Sequence, residues 1–215
     1  MSKLKALATL VAKPKRLAAL LSYGHKGYLA SIGWFTAFDN HQAVDAHNQP
    51  IPWVTYSFID FIKGRLNKDL TIFEYGSGNS TLFYAKNVKR VVSVEHDEAW
   101  FNKIVDQKAT NAEMIFTKLE TNGEYSKKAN LLGEKFDLII VDGRDRVNCC
   151  KYSVDALTEK GVLVLDDSER EVYDEARTFL KSKGYKELSF SGISPGLFYN
   201  KATSIFYRKD NCLEI

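Results

Sequence analysis

The most distinctive chemical pattern in this 215-residue chain lies between residues 74 and 81. Glu74 and Tyr75 close an apolar run and lead directly into Gly76-Ser77-Gly78-Asn79. Glycines at such a turn let the backbone bend sharply and approach a ligand closely. A dinucleotide-binding loop has a third glycine where this chain has Thr81, and it holds a pyrophosphate at the helix N-terminus. Because Glu74 would repel a pyrophosphate, the pattern favours a ligand that carries positive charge.

A second acid stands at the spacing expected for a ribose contact. Glu95 follows Gly76 by 19 residues and ends another apolar run, where an acid can accept hydrogen bonds from both hydroxyls of a ribose. His96 comes next, and it either borders the same site or faces solvent. Glu95 therefore supplies evidence for a nucleoside-containing ligand that is independent of the glycine loop.

Further acids and two arginines follow two later apolar runs. Asp142 begins the segment Asp142-Gly143-Arg144-Asp145-Arg146, and Asp166 and Asp167 are adjacent after the next run. Neighbouring acids are costly unless they are paired, solvated or bound to a ligand. Three carboxylates could bind Mg²⁺ through oxygen, or the arginines could neutralise them. Arg144 and Arg146 are also candidates to hold an anionic group of a substrate.

Alternating strands and helices are predicted to position these residues. The predicted strands are 70–75, 90–95, 112–118, 136–142, 161–166, 186–191 and 203–208. The predicted helices are 52–66, 80–87, 97–110, 148–157 and 169–183. This order predicts an α/β, Rossmann-like, doubly wound and mostly parallel seven-stranded sheet, closed by an antiparallel last strand because no helix separates the final two strands. The candidate residues all lie at the carboxyl ends of strands, where such sheets bind ligands.

Residues 1–50 are predicted to form a basic helical and loop extension, and residues 51–215 the ligand-binding domain. Residues 1–38 carry six lysines and arginines and no acid, so the remaining 177 residues have a net charge of about −3. Apolar residues recur at helical spacing through residue 21, with a break expected at Pro14. This segment could lie on an anionic membrane surface, or dock on its own domain or a second subunit of a homo-oligomer. Residues 22–50 are predicted to be rich in loops.

Composition restricts the protein class and location. The three cysteines form neither a disulfide framework nor a zinc-binding spacing, which favours a reducing cytoplasm. The basic helix is also compatible with a location at the periphery of a membrane. A net charge of +3 is too small to indicate a nucleic-acid partner by itself.

From residue 70 to residue 208, the order of these motifs resembles that of class I S-adenosylmethionine-dependent methyltransferases. The resemblance implies that S-adenosylmethionine is the cofactor, and that Asp142 faces the methyl-transfer centre. It implies O-methylation of a small molecule or of a sugar or glycan hydroxyl. The implied cofactor-binding residues are Glu74, Tyr75, Gly76, Ser77, Gly78, Asn79, Ser80, Glu95, His96 and Asp142.

A narrower similarity is to catechol-type O-methyltransferases, which bind a metal through acids after strands four and five. Arg144 stands where that family has a lysine, and an arginine cannot act as a general base because it stays protonated. Asp167 stands where the family has an asparagine. Metal dependence is therefore left open. Two other functions are retained as alternatives: a dinucleotide-dependent oxidoreductase, and a non-catalytic binding module that keeps the methyltransferase fold.

Overall fold

A computed structural model describes residues 3–215 of the chain. Its sheet has seven strands, as predicted. They are β1 (Thr71–Tyr75), β2 (Arg90–Glu95), β3 (Ala112–Phe116), β4 (Phe136–Val141), β5 (Leu157–Asp166), β6 (Lys186–Gly192) and β7 (Lys201–Tyr207). The ten α-helices of the described residues are α1 (Lys3–Val11), α2 (Pro14–Ser22), α3 (Tyr28–Ser31), α4 (Trp34–Asn40), α5 (Tyr56–Lys63), α6 (Asn79–Asn87), α7 (Glu98–Ile104), α8 (Glu124–Leu131), α9 (Arg146–Ser153) and α10 (Asp174–Ser182).

The strand order is β3-β2-β1-β4-β5-β7-β6. Strands β1 to β5 pair in parallel, whereas β7 lies between β5 and β6 and runs antiparallel to both. The chain leaves β1 toward β2 on one side and returns through β4 on the other. The strand order therefore switches between β1 and β4, and a cleft opens beyond their carboxyl ends. This confirms the predicted fold class.

Both faces of the sheet are buried, which explains the continuous apolar runs of its strands. Ile72 belongs to a core cluster on one face with α5 and α6, whereas Phe73 and Tyr75 belong to a cluster on the other face with α8, α9 and α10. The other central strands alternate in the same way. Each strand end is thus fixed from both sides, which holds the residues after it in place.

Some predicted boundaries were wrong. The helix predicted at 52–66 begins only at Tyr56, with Thr55 in the cap position. Strand β5 begins four residues earlier than predicted, because the helix before it ends at Ser153. Helix α8 was missed altogether, since its sequence of mixed polar residues has no clear apolar period.

The predicted break at Pro14 is confirmed by the separate helices α1 and α2. Helix α2 has no buried residue and exposes Leu20 and Leu21. Residues 22–50 contain α3 and α4, and Ala43 belongs to the same core cluster as α5. The predicted contact of residues 1–21 with a membrane or subunit stays a prediction, and residues 1 and 2 lie outside the described residues. No helix in residues 3–215 has the length and apolarity needed to cross a membrane.

Candidate functional site

The loop from Gly76 to Thr81 turns sharply between β1 and α6. Gly76 has φ +95° and Gly78 has φ +154°, and a Cβ on Gly76 would lie only 3.3 Å from the carbonyl oxygen of Asp142. Thr81, which replaces the third glycine of a dinucleotide loop, fixes this turn. Its hydroxyl donates to Glu74 Oε2 at 2.6 Å and accepts from the Gly78 amide at 3.1 Å. One amide of the helix N-terminus is thereby satisfied internally and is not free to bind a phosphate.

Glu74 is a buried acid without a cationic partner. It is 1% exposed, and burial raises the pKa of its carboxyl to about 7, against hydrogen bonds from Ser80 and Thr81 that lower it. The neighbouring Glu95 raises the pKa further, and none of the ion pairs found among the described residues includes Glu74. A carboxylate in this state favours a ligand that brings its own positive charge.

A cavity of about 510 Å³, the glycine-loop cavity, opens in front of Glu74. Seven of the predicted site residues line it: Glu74, Gly76, Ser77, Gly78, Asn79, Ser80 and Asp142. The segment 40–43 of the extension and Trp53 form another wall. That segment is tied to the loop because Asn79 Nδ2 donates to the carbonyl of Ala43 at 2.9 Å.

Three predicted cofactor residues lie behind this cavity. The ring of Tyr75 is buried in the core, where its hydroxyl donates to the carbonyl of Ser126. Glu95 accepts from Ser77 Oγ at 2.7 Å and from the amides of His96 and Asp97 at 2.7 and 2.9 Å. The Glu95 side chain thus braces the glycine loop. Neither Glu95 nor His96 lines the cavity as the structure stands.

Two buried hydroxyls near Glu95 have no hydrogen-bond partner among the described residues: Thr117 Oγ1 and Tyr125 OH. Thr117 donates its amide to the carbonyl of Glu95 at 2.9 Å, and the Tyr125 ring lies edge-on to His96 with centroids 5.7 Å apart. Buried polar atoms in a native core usually have a hydrogen-bond partner. These two hydroxyls suit the polar adenosine portion of a nucleoside ligand.

A second cavity of about 320 Å³, the carboxylate cavity, lies beyond the ends of β4 and β5. Asp142, Asp166 and Asp167 line it, together with Lys201 from the start of β7. Lys201 Nζ lies 2.6 Å from Asp166 Oδ2 and 2.9 Å from Asp167 Oδ1. The remaining wall residues are Trp53, Arg170, Leu197 and Tyr199.

The two arginines predicted to hold substrate line neither cavity. Arg144 is exposed. Arg146 is committed to internal partners: it donates to the carbonyl of Gly143 at 3.0 Å and to Asp142 Oδ1 at 3.0 Å, and it approaches Asp167 at 3.3 Å. Of the two interpretations, the structural ion pair is the one that this geometry supports for Arg146.

Only Trp53 and Asp142 of the described residues line both cavities. The Trp53 ring is fixed by a bond from its Nε1 to the carbonyl of Pro195 at 2.8 Å. Burial and the nearby Asp166 raise the pKa of Asp142 well above its ordinary value, although Arg146 and Lys201 oppose this. Asp142 is therefore a carboxyl that can take up a proton at the junction between the two cavities.

No protein-family model and no curated protein matches this sequence. Solved structures match it at low identity. Precorrin-6y C5,15-methyltransferase from Geobacter metallireducens aligns with a TM-score of 0.55 and 16% identity, over 80% of this chain and 96% of that one. A methyltransferase-like protein from Silicibacter pomeroyi gives 0.54 and 20%, over 74% and 89%.

The fold is that of the class I methyltransferases. Spermidine synthase from Thermotoga maritima also aligns, with a TM-score of 0.51 and 16% identity, over 72% of this chain and 57% of that one. The class I methyltransferase fold therefore occurs in proteins named for more than one reaction, and the function has to be argued from the residues of the two cavities.

Sequence reasoning missed the role of Lys201. A single lysine at the start of a strand gives no local signal, since most lysines face solvent. Its position depends on the register of β7 beside β5, in which Thr203 is opposite Asp166. A strand was predicted at 203–208, but the strand beside which it would insert was not.

Proposed function

We propose that the protein is an S-adenosylmethionine-dependent methyltransferase that methylates a hydroxyl of a small molecule, sugar or glycan. The observation that carries the proposal is Glu74, a buried acid without a cation, facing a glycine-lined cavity. The ammonium of the cofactor's methionine portion would supply the missing charge, and the orphaned hydroxyls of Thr117 and Tyr125 suit its adenosine portion. The class I methyltransferase fold supports the same cofactor.

In this proposal, each of the two cavities takes one of the two substrates. The glycine-loop cavity takes the methyl donor, which when bound supplies an electrophilic methyl group. The carboxylate cavity takes the acceptor. Because Trp53 and Asp142 stand at the junction of the two, they would align the acceptor oxygen with the methyl group, and such positioning accounts for a large share of catalysis in a displacement reaction.

Asp142 is proposed to take the proton of the acceptor hydroxyl. Its raised pKa makes it a better base than an ordinary aspartate when it is ionised. The rings of Trp53 and Tyr199 on the walls suit a flat or sugar-like acceptor, since aromatic faces pack well against ring systems. These features favour an oxygen acceptor on a ring.

The three acids do not fit a magnesium site in this structure. Lys201 Nζ already lies between Asp166 and Asp167, and Arg146 lies against Asp142. In residues 3–215 no group of three or more His, Cys, Asp or Glu side chains is arranged to hold a metal ion. The proposed reaction is therefore derived from the protein side chains alone.

Isothermal titration calorimetry with S-adenosylhomocysteine tests the proposal. Wild-type protein is expected to bind the ligand, Glu74→Gln to bind it at least tenfold more weakly, and the surface control Glu113→Gln to bind like wild type. Loss of one charged hydrogen bond of about 1.5–3 kcal/mol gives this difference. No binding to wild type at millimolar ligand would refute the methyltransferase function and leave the oxidoreductase and the non-catalytic module.

The dinucleotide-dependent alternative has its own test. Fluorescence titration with NADH is expected to show no binding, because Thr81 satisfies the Gly78 amide and Glu74 repels a pyrophosphate. Saturable NADH binding that Glu74→Gln strengthens would favour the oxidoreductase. The acceptor itself can be sought by screening phenols and sugars for release of S-adenosylhomocysteine.

We also propose that the basic extension attaches the protein to the cytoplasmic face of an anionic membrane. Helix α2 presents Leu20 and Leu21 to solvent beside Lys15 and Arg16, a combination suited to an anionic lipid surface. Co-sedimentation with phosphatidylserine vesicles is expected for wild type and lost in Leu20→Ser/Leu21→Ser. If wild type does not sediment with the vesicles and light scattering shows that it is a dimer, a subunit contact is indicated instead.

A further inference from the structure

Lys201 lies at the point where the acids of the carboxylate cavity converge. Its side chain is 5% exposed, and its ammonium lies 2.6 Å from Asp166 Oδ2, 2.9 Å from Asp167 Oδ1 and 3.3 Å from the carbonyl oxygen of Trp53. The ammonium donates hydrogen bonds to Asp166 and to the Trp53 carbonyl, and it forms an ion pair with Asp167. Lys201 is thus held from three sides.

The neighbouring cations and hydroxyls occupy most of the remaining carboxylate oxygens. Thr203 Oγ1 donates to Asp166 Oδ1 at 2.8 Å. Arg146 and Arg170 approach Asp167 Oδ2 at 3.3 and 2.8 Å. Arg146 also donates to Asp142 Oδ1 at 3.0 Å.

One carboxylate oxygen is left over. Of the six oxygens of Asp142, Asp166 and Asp167, Asp142 Oδ2 is the one that has neither a hydrogen bond nor an ion-pair contact from a described residue. Asp142 also lines both cavities. The oxygen without a partner therefore belongs to the one acid of the three that lines both cavities.

We propose that Lys201 is a built-in cation that takes the place of a divalent metal ion, and that it positions the acceptor side by engaging Asp166 and Asp167 so that Asp142 Oδ2 alone is free for the acceptor hydroxyl. The positioning part rests on the proposed function. The substitution of ammonium for metal does not, because it depends only on the contacts of Lys201. The disagreement with the metal-binding pattern of catechol-type O-methyltransferases thus has a structural cause in this chain.

Manganese binding tests the substitution directly. Electron paramagnetic resonance of free Mn²⁺ is expected to show no uptake by wild type, or by the surface control Lys160→Ala, at micromolar to low millimolar metal. Lys201→Ala opens the space between two acids and is expected to take up one Mn²⁺, because carboxylate oxygens are good ligands for this ion. The double variant Asp166→Asn/Lys201→Ala is expected to lose that uptake.

Rescue separates the proposed role from a merely structural one. Mn²⁺ is expected to raise the melting temperature of Lys201→Ala and to leave that of wild type unchanged. If Lys201→Ala does not fold, Lys201→Gln keeps a hydrogen-bonding side chain without the charge, and the same rescue is expected.

Two outcomes would overturn the proposal. One is uptake of Mn²⁺ by wild type that Asp166→Asn abolishes, and the other is a folded variant at position 201 that takes up no metal. Neither measurement uses S-adenosylmethionine. A failure of S-adenosylhomocysteine to bind wild type would therefore refute the proposed function while leaving the result on Lys201 intact.

Discussion

The two cavities share Trp53 and Asp142, but the pKa of Glu74 in one and the pKa of Asp167 in the other are shifted in opposite directions. In the glycine-loop cavity, Glu74 is buried with hydroxyl partners and without a cation, so its pKa rises to about 7. In the carboxylate cavity, burial opposes the ionisation of Asp167, yet Lys201, Arg146 and Arg170 hold its pKa below the ordinary value. One acid lacks its countercharge, whereas the other has it built into the fold.

This difference shows what kind of partner each site requires. A buried acid without a cation costs folding free energy, and it persists where a cationic ligand uses it. An acid that is already paired with lysine and arginine gains little from a further cation. The glycine-loop cavity is therefore suited to a positively charged cofactor, and the carboxylate cavity to a neutral acceptor whose proton Asp142 can receive.

The largest effect is expected when the cation that pairs with Asp166 and Asp167 in the carboxylate cavity is removed. Lys201→Met should lower the free energy of unfolding by about 3–5 kcal/mol, because it leaves Asp166 and Asp167 buried without their shared cation. Urea denaturation measures this loss. The control Lys160→Met removes an exposed pair with Asp210 and should cost at most about 1 kcal/mol. Equal losses in the two variants would show that the built-in cation does not stabilise the carboxylate cavity.

The opposite sign is expected in the glycine-loop cavity. The pKa of Glu74 is near 7 in the folded protein against an ordinary 4.5. Ionisation therefore favours the unfolded chain, so the folded protein loses stability as the pH rises from 4.5 to 7, and the loss is constant and complete above pH 7. Glu74→Gln should therefore stabilise the protein without ligand by up to about 3 kcal/mol at pH 8, and not at pH 4.5. Melting curves at both pH values measure this, and a variant that is less stable at pH 8 would contradict it.

Asp142 belongs to both cavities, and its replacement should act on the reaction more than on either binding step. Asp142→Asn keeps a polar group of similar size but cannot take a proton, so turnover should fall about 100-fold or more once an acceptor is known. Calorimetry should show S-adenosylhomocysteine affinity within a few-fold of wild type. A normal turnover number in this variant would exclude Asp142 as the base.

The fold was predictable because its determinants are local or periodic. The apolar runs around Phe73 and Ile139 are continuous since both faces of the sheet are covered, and the absence of a helix before residue 203 indicated the antiparallel end. Helix α8 was not predictable in this way, because its sequence is mostly polar and has no clear apolar period, although it buries Tyr125 and Ala129.

Part of the candidate site was predictable from the sequence and part was not. The glycine loop and its acid are contiguous in sequence, and seven of the predicted residues do line one cavity. Lys201 meets Asp166 and Asp167 across 34 or more residues of chain, and only the insertion of β7 beside β5 brings them together. A contact that depends on how two distant strands pair cannot be predicted from a local sequence motif.

The smallest predicted effect connects the charge of Glu74 to ligand binding. Below pH 7 the carboxyl of the ligand-free protein is protonated, and the ammonium of S-adenosylhomocysteine then has to displace that proton. The affinity of wild type should thus be nearly constant from pH 7.5 to 8 and fall by up to about tenfold per unit as the pH drops below 7. Glu74→Gln should show weak binding with no such slope, whereas Glu113→Gln should follow wild type. If all three proteins lose affinity in parallel, another group sets the pH dependence, and Glu74 is not the acid that meets the cofactor's charge.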